Sequence, residues 1–126
     1  MHRYKDLKVW QKAVDLSVII YKITEGFPKK EQYSLSQQMN RAVVSIASNI
    51  AEGAGRNSDK EFLNFLSMSV GSSFELETQL VIANKIGYVD EKSLVEIGSL
   101  IKEIQNMIYS LQETLRKKVN LVKLKS

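Results

Sequence analysis

Residues 94–115 read LVEIGSLIKEIQNMIYSLQETL, and the fold is decided there. Leu94, Ile97, Ile101, Ile104, Ile108, Leu111 and Leu115 recur at alternating steps of three and four. That spacing lines seven aliphatic side chains along one helix face for three heptads. A seam of this kind asks for partner helices packed at a shallow crossing angle. Asp90 stands just ahead of it as an N-cap residue type, which predicts a helix of about 28 residues, roughly 42 Å long.

Upstream, the same periodicity continues and no alternating strand pattern interrupts it. Ser58-Asp59-Lys60-Glu61 has the form of a capping box and opens a third helix. Its stripe runs through Phe62, Phe65/Leu66, Ser69, Ser73, Leu76, Leu80 and Ala83 to Gly87, which sits where a left-handed cap is wanted. Ser69, Gly71, Ser72 and Ser73 form a small-residue patch open to close helix approach. Ser34-Leu35-Ser36-Gln37 is a second capping box, with Leu35, Met39, Ala42/Val43, Ile46 and Ile50 behind it. Gly53-Ala54-Gly55 then reads as a turn of residues that tolerate positive φ.

The first helix is predicted from Asp6, as its N-cap, to Gly26-Phe27-Pro28. It carries two apolar faces: Leu7, Trp10, Val14, Val18 and Tyr21 on one, Val9, Ala13, Leu16, Ile20 and Ile23 on the other. One core needs a stripe of only ~100°. The surplus points to a second burial partner, most simply another subunit. Four helices joined by short loops favour antiparallel neighbours. The expected fold is all-α, an up-down-up-down antiparallel four-helix bundle over residues 1–118. Residues 119–126 lose the heptad and are expected to fray as a basic tail.

The chain has 126 residues, no cysteine, one histidine and a net charge of +4. Disulfide scaffolds, thiolate metal sites and cysteine nucleophiles are excluded. A di-iron centre needs Glu-x-x-His pairs, and His2 stands alone. The phosphate-loop spacing is absent, and Ser67, Ser69, Ser72 and Ser73 have no histidine base. No cofactor, metal or catalytic activity is expected. No apolar run approaches the ~20 residues of a membrane span, and no secretory signal opens the chain, so a cytoplasmic protein with no membrane partner is expected.

Charge is unevenly placed. Arg3, Lys5, Lys8 and Lys12 against Asp6 make residues 1–12 net +3, and Arg116, Lys117, Lys118, Lys123 and Lys125 make residues 116–126 net +5. The body between them is net −4. These nine basic residues are the candidate contacts to a polyanion, an RNA or DNA backbone bound without base reading. The other reading is a structural or protein–protein adaptor whose basic ends keep it soluble. A second polar set follows helical spacing: Arg41, Ser45, Asn49 and Glu52 on the second helix, Ser72, Glu75 and Gln79 on the third. Glu52, Glu75 and Glu77 are the carboxylates expected to meet Arg41.

Longer motifs add to this. Asp6-Leu7-x-Val9-Trp10-Gln11-x-Ala13 is followed by Phe27-Pro28 and by Gln38-x-x-Arg41-Ala42-x-x-Ser45-Ile46-x-x-Asn49-Ile50-Ala51-Glu52-Gly53. Gly71-Ser72-x-x-Glu75-Leu76-Glu77-Thr78-Gln79-Leu80 and Ile86-Gly87-Tyr88 complete them. Together they resemble the bacterial four-helix-bundle proteins encoded in intervening sequences of 23S ribosomal RNA genes. They are more distantly similar to the accessory variability proteins of diversity-generating retroelements. The resemblance implies an antiparallel four-helix bundle assembled as a homopentamer, without catalytic activity. It implies nucleic acid and a reverse transcriptase as partners only for the retroelement branch. The family pattern carries over to Arg41, Ser45, Asn49, Glu52, Gly53, Glu75 and Glu77, as structural or interface positions. It departs at Ala47, where many members have proline, and it does not extend to the basic tail.

Overall fold

A computed structural model describes residues 1–125. Its four long helices are α1 (Lys8–Glu25), α2 (Leu35–Ala54), α3 (Asp59–Lys85) and α4 (Glu91–Lys125), with single 3-10 turns at Tyr4–Asp6 and Lys29–Glu31. No strand occurs among the described residues. The helices pack in a ring, α1 on α2, α2 on α3, α3 on α4 and α4 on α1, the last seam being the most open.

Hydrogen bonds between helices fix their directions. Ser69 and Ser72 of α3 reach Ile46 and Ser45 of α2, so a later residue on one meets an earlier residue on the other. Gln105 and Gln112 of α4 reach Ser73 and Ser67 of α3 in the same reversed order. At the α1–α2 pair, Thr24 meets Asn40 while the His2 amide meets the Ala54 carbonyl. Successive helices therefore run antiparallel, as expected of an up-down-up-down bundle.

The core is the one the heptads specify. Ile97, Ile101, Ile104, Ile108 and Leu115 of α4 are buried, as are Met39, Val43, Ile46 and Ile50 of α2 and Phe62, Leu66, Leu76 and Leu80 of α3. In α1 only the Val9–Ala13–Leu16–Ile20 face is fully buried. Leu7, Trp10 and Val14 pack partly against the core, while Val18 and Tyr21 stay exposed at 50% and 47%.

Two helix ends are built as the sequence indicates. The Ser58 hydroxyl accepts the Glu61 amide at 3.2 Å, capping α3. Gly87 has φ +89, and the amides of Gly87 and Tyr88 bond the carbonyls of Asn84 and Ala83 at 3.0 and 2.9 Å. This is the Schellman arrangement, in which a left-handed residue closes two orphan carbonyls. Asp90 caps α4 by accepting the Ser93 amide at 2.7 Å, and that bond holds its carboxyl below the ordinary range.

Elsewhere the local expectations are corrected. Asp6 does not cap α1. It belongs to the 3-10 turn and pairs with Arg3 at 3.3 Å, leaving Leu7 at the N-cap with no side-chain bond. Ser34 does not cap α2 either: its hydroxyl donates to Glu31 at 2.6 Å and accepts no helix amide. Glu31 takes over the role: it accepts Ser34 and Tyr88 (2.9 Å) and the Leu35 amide, which together hold its carboxyl low. An ionised carboxylate there also suits the positive end of the helix dipole.

Gly53 and Gly55 do not use positive φ; Gly87 alone does so among the described residues. Gly53 is needed for space instead. A Cβ there would stand 2.6 Å from Phe65 Cβ and 2.8 Å from Phe62 Cδ1. Gly71, read as part of the close-approach patch, has open space around it. Residues 119–125 of the expected basic tail continue α4 as helix to Lys125. Its end holds no proline or glycine, adds one backbone bond per residue, and places lysines against the negative helix terminus. Ser126, the last residue of that expected tail, lies outside the described residues.

Candidate nucleic-acid interface

An even number of antiparallel helices brings both chain ends to one pole. The start of α1, the α2–α3 turn and the end of α4 meet there. The Met1–Lys5 segment is tied down by contacts of His2 and Tyr4. The His2 amide donates to the Ala54 carbonyl at 2.7 Å, and His2 Nε2 lies 2.8 Å from Asp59 Oδ1. The His2 ring also leans on Phe62 with centroids 5.1 Å apart. Tyr4 packs edge-on against Trp10 at 5.2 Å. Arg3 and Lys5 are thereby held beside Gly55, around a shallow hollow shared with Met1, His2 and Tyr4.

A second hollow joins the turn to the end of α4. Ser58, Asp59 and Lys60 form one side of it, and Lys118, Val119, Val122 and Lys123 form the other. The two basic segments of the sequence are therefore brought together across the α2–α3 turn. Lys5, Lys8, Arg116, Lys117, Lys118 and Lys125 are exposed and make no ion pair among the described residues. Arg3 pairs only with Asp6, at high exposure.

Lys12 stands apart from this group. Its Nζ lies 2.7 Å from Glu103 Oε1, bridging the open α1–α4 seam. Two basic residues at the pole escaped the sequence reading, Arg56 and Lys60. Arg56 pairs with Glu52 at 3.1 Å and lies over the Phe65 ring at 4.6 Å, while Lys60 is exposed. Helix parity was the signal that finds them, because the second turn of such a bundle shares a pole with both termini.

The polar motif runs along the α2–α3 seam, from Arg41 to Glu52 and Gly53 at this pole, and it divides in two. Asn49 Nδ2 donates to the Ser45 carbonyl and hydroxyl at 2.9 and 3.0 Å, and Ser72 donates to the same Ser45 hydroxyl at 2.9 Å. With Gly53 against Phe62 and Phe65, these groups let α2 and α3 approach closely. Arg41 is different: it is exposed and has no ion pair with Glu52, Glu75 or Glu77. Glu52 is taken by Arg56, and Glu75 accepts Gln79 Nε2 at 3.3 Å. Glu77 is half-buried without a partner among the described residues. No helix of the described residues is long and apolar enough to cross a membrane.

A family model described as 23S rRNA-intervening sequence protein matches residues 5–110. No curated protein matches the chain. The fold is similar to the crystal structure of a protein with unknown function from the S23 ribosomal protein family of Bacteroides thetaiotaomicron. The two are 23% identical, with a TM-score of 0.78 over 83% of this chain and 95% of the other.

Proposed function

The chain belongs to the 23S rRNA-intervening sequence protein family, and from that footing we propose a cytoplasmic, non-enzymatic, homo-oligomeric protein that binds the phosphate backbone of RNA or DNA through its basic pole. The observation that carries this reading is the convergence of Arg3 and Lys5 with Lys60 and Lys118 around the α2–α3 turn. Exposed ammonium groups without carboxylate partners, and an Arg3 held only by a solvent-exposed pair with Asp6, attract phosphates and displace their counterions. Contacts to phosphate carry no sequence information, so binding of this kind is sequence-tolerant. The lone histidine is engaged with Asp59 and Phe62 rather than presented to a substrate, which favours binding over catalysis.

Two features support self-association. The outer face of α1 leaves Val18 and Tyr21 exposed, and Tyr21 shares a hollow with Val44 and Arg41 of α2, where Arg41 lacks a counter-charge. A pentamer is the assembly the resemblance implies, and it would repeat the basic pole around one axis.

Fluorescence anisotropy with a labelled single-stranded RNA and a duplex DNA tests the reading. The wild-type protein should bind both at ~50 mM salt, and a Lys60→Glu/Lys117→Glu/Lys118→Glu variant should bind at least about tenfold more weakly. Absence of binding by the wild type rejects the proposal and leaves the protein–protein adaptor. Sedimentation velocity tests the assembly separately, and a monomer at all concentrations would contradict it.

A further inference from the structure

The pole opposite the basic one holds a cleft of about 260 Å³ between the end of α1 and the start of α2. Its inner wall is made by Thr24 of α1 and by Ser36 and Asn40, one helical turn apart on α2. Thr24 and Ser36 are each 7% exposed. The Thr24 hydroxyl is already engaged, lying 3.1 Å from the Tyr21 carbonyl and 3.0 Å from Asn40 Oδ1. The Ser36 hydroxyl and the Asn40 Nδ2 hydrogens line the cleft with no partner among the described residues. Both groups stay open to the cleft rather than sealed in the core, so two unpartnered donors on one wall can serve a single acceptor.

The rest of the cleft narrows the choice. Phe27 and Pro28 give an apolar floor, and Glu25 and Lys29 place one charge of each sign at the rim. A simple anion suits this poorly. It would face Glu25, and the positive end of α2 is already answered by the Glu31 carboxylate. The volume lies just below the ~300–1,000 Å³ usual for drug-sized ligands, so the occupant is smaller.

We propose that this cleft binds a free amino acid as its zwitterion. The ligand carboxylate accepts hydrogen bonds from Asn40 Nδ2 and Ser36 Oγ, with Lys29 adding charge from the rim. The ammonium faces Glu25, and the side chain lies over Phe27 and Pro28. Charge-assisted bonds of this kind are roughly twice as strong as neutral ones, which lets so small a ligand be held.

The test is a nitrogen-15 NMR titration of the full chain with glycine, L-alanine, L-serine, L-leucine and L-glutamate. Acetate and methylammonium serve as half-ligands. At least one amino acid should give saturable shifts centred on Ser36 and Asn40, at concentrations about tenfold below either half-ligand. Asn40→Asp keeps an acceptor for Thr24 but sets a carboxylate against the ligand's own, and should weaken binding at least about tenfold. Glu25→Gln changes only the exposed rim and should weaken it several-fold, and it decides the matter if Asn40→Asp does not fold. No saturable shift by ~10 mM from any amino acid overturns the proposal, as do equal responses to the half-ligands. Binding unchanged in Glu25→Gln also overturns it. The cleft and the basic pole are at opposite ends, so neither outcome bears on nucleic-acid binding.

Discussion

The α2–α3 seam and the basic charges at the pole are built on opposite terms. In the seam, Ser45, Asn49, Gly53, Ser69 and Ser72 matter through fit: hydroxyls bonded across the helices and a glycine with no room for a methyl group. At the pole, Lys5, Lys8, Lys117 and Lys118 matter through charge alone, exposed and unpaired. Substitution in the seam should be felt as lost stability with no bearing on salt. Substitution at the pole should leave stability nearly untouched and act on affinity. Four perturbations would break or sharpen that contrast.

The largest effect is expected from Gly53→Ala. Its added carbon would meet Phe65 Cβ at 2.6 Å, an atom fixed close to the α3 backbone, so the helices must part. Overpacking of this kind costs about 1–3 kcal/mol. Thermal denaturation should show Tm lowered by several degrees, and an unchanged Tm would mean the seam is looser than described.

Next comes the pole. Replacing Lys117 and Lys118 by glutamate should lower nucleic-acid affinity at least about tenfold, with a stability change within ~0.5 kcal/mol. The two readouts must separate, since a comparable loss of stability would make the end of α4 part of the fold's support.

Acid should act through Glu31 and Asp90. Both carboxyls are held low in the folded chain, Glu31 chiefly by Ser34 and Tyr88 and Asp90 by the Ser93 amide. A depressed carboxyl stabilises above its ordinary range, and that contribution is lost as pH falls through the folded value. Tm should therefore hold from neutrality to about pH 5 and decline below it, and Glu31→Gln should flatten the decline. Tyr88 has the opposite sign. Its bond to Glu31 raises it, so its contribution persists below the ordinary phenol range and fades above it.

The smallest effect belongs to Lys12 and Glu103, half-exposed on the α1–α4 seam. A double-mutant cycle with alanine should return a coupling of about 0.2–1 kcal/mol that shrinks with added salt. A larger, salt-independent value would make that seam as tightly specified as α2–α3.

How far the sequence could be read follows the same division. Features specified by neighbours along the chain were legible: the heptads of α4, the Ser58 cap, the left-handed Gly87, and a bundle with antiparallel neighbours. Features set by an approaching helix were not. Nothing local to Gly53 announces Phe62 and Phe65, so its glycine read as a turn residue. Ser34 has the form of a cap, but Glu31, itself held by Tyr88, receives its hydroxyl from outside the pattern. Arg41 shares a face with several carboxylates without reaching one. The basic segments were visible as composition, and their meeting with Lys60 and Arg56 required the parity of the helices.

The account of the pole is best judged by titrating single-stranded RNA against the protein between ~50 and ~200 mM salt. Neutralising several phosphates predicts that log K falls linearly with log salt, with a slope steeper than about −2. That slope should become shallower in the Lys117→Glu/Lys118→Glu protein. An affinity independent of salt, or a slope the double variant leaves unchanged, would contradict it.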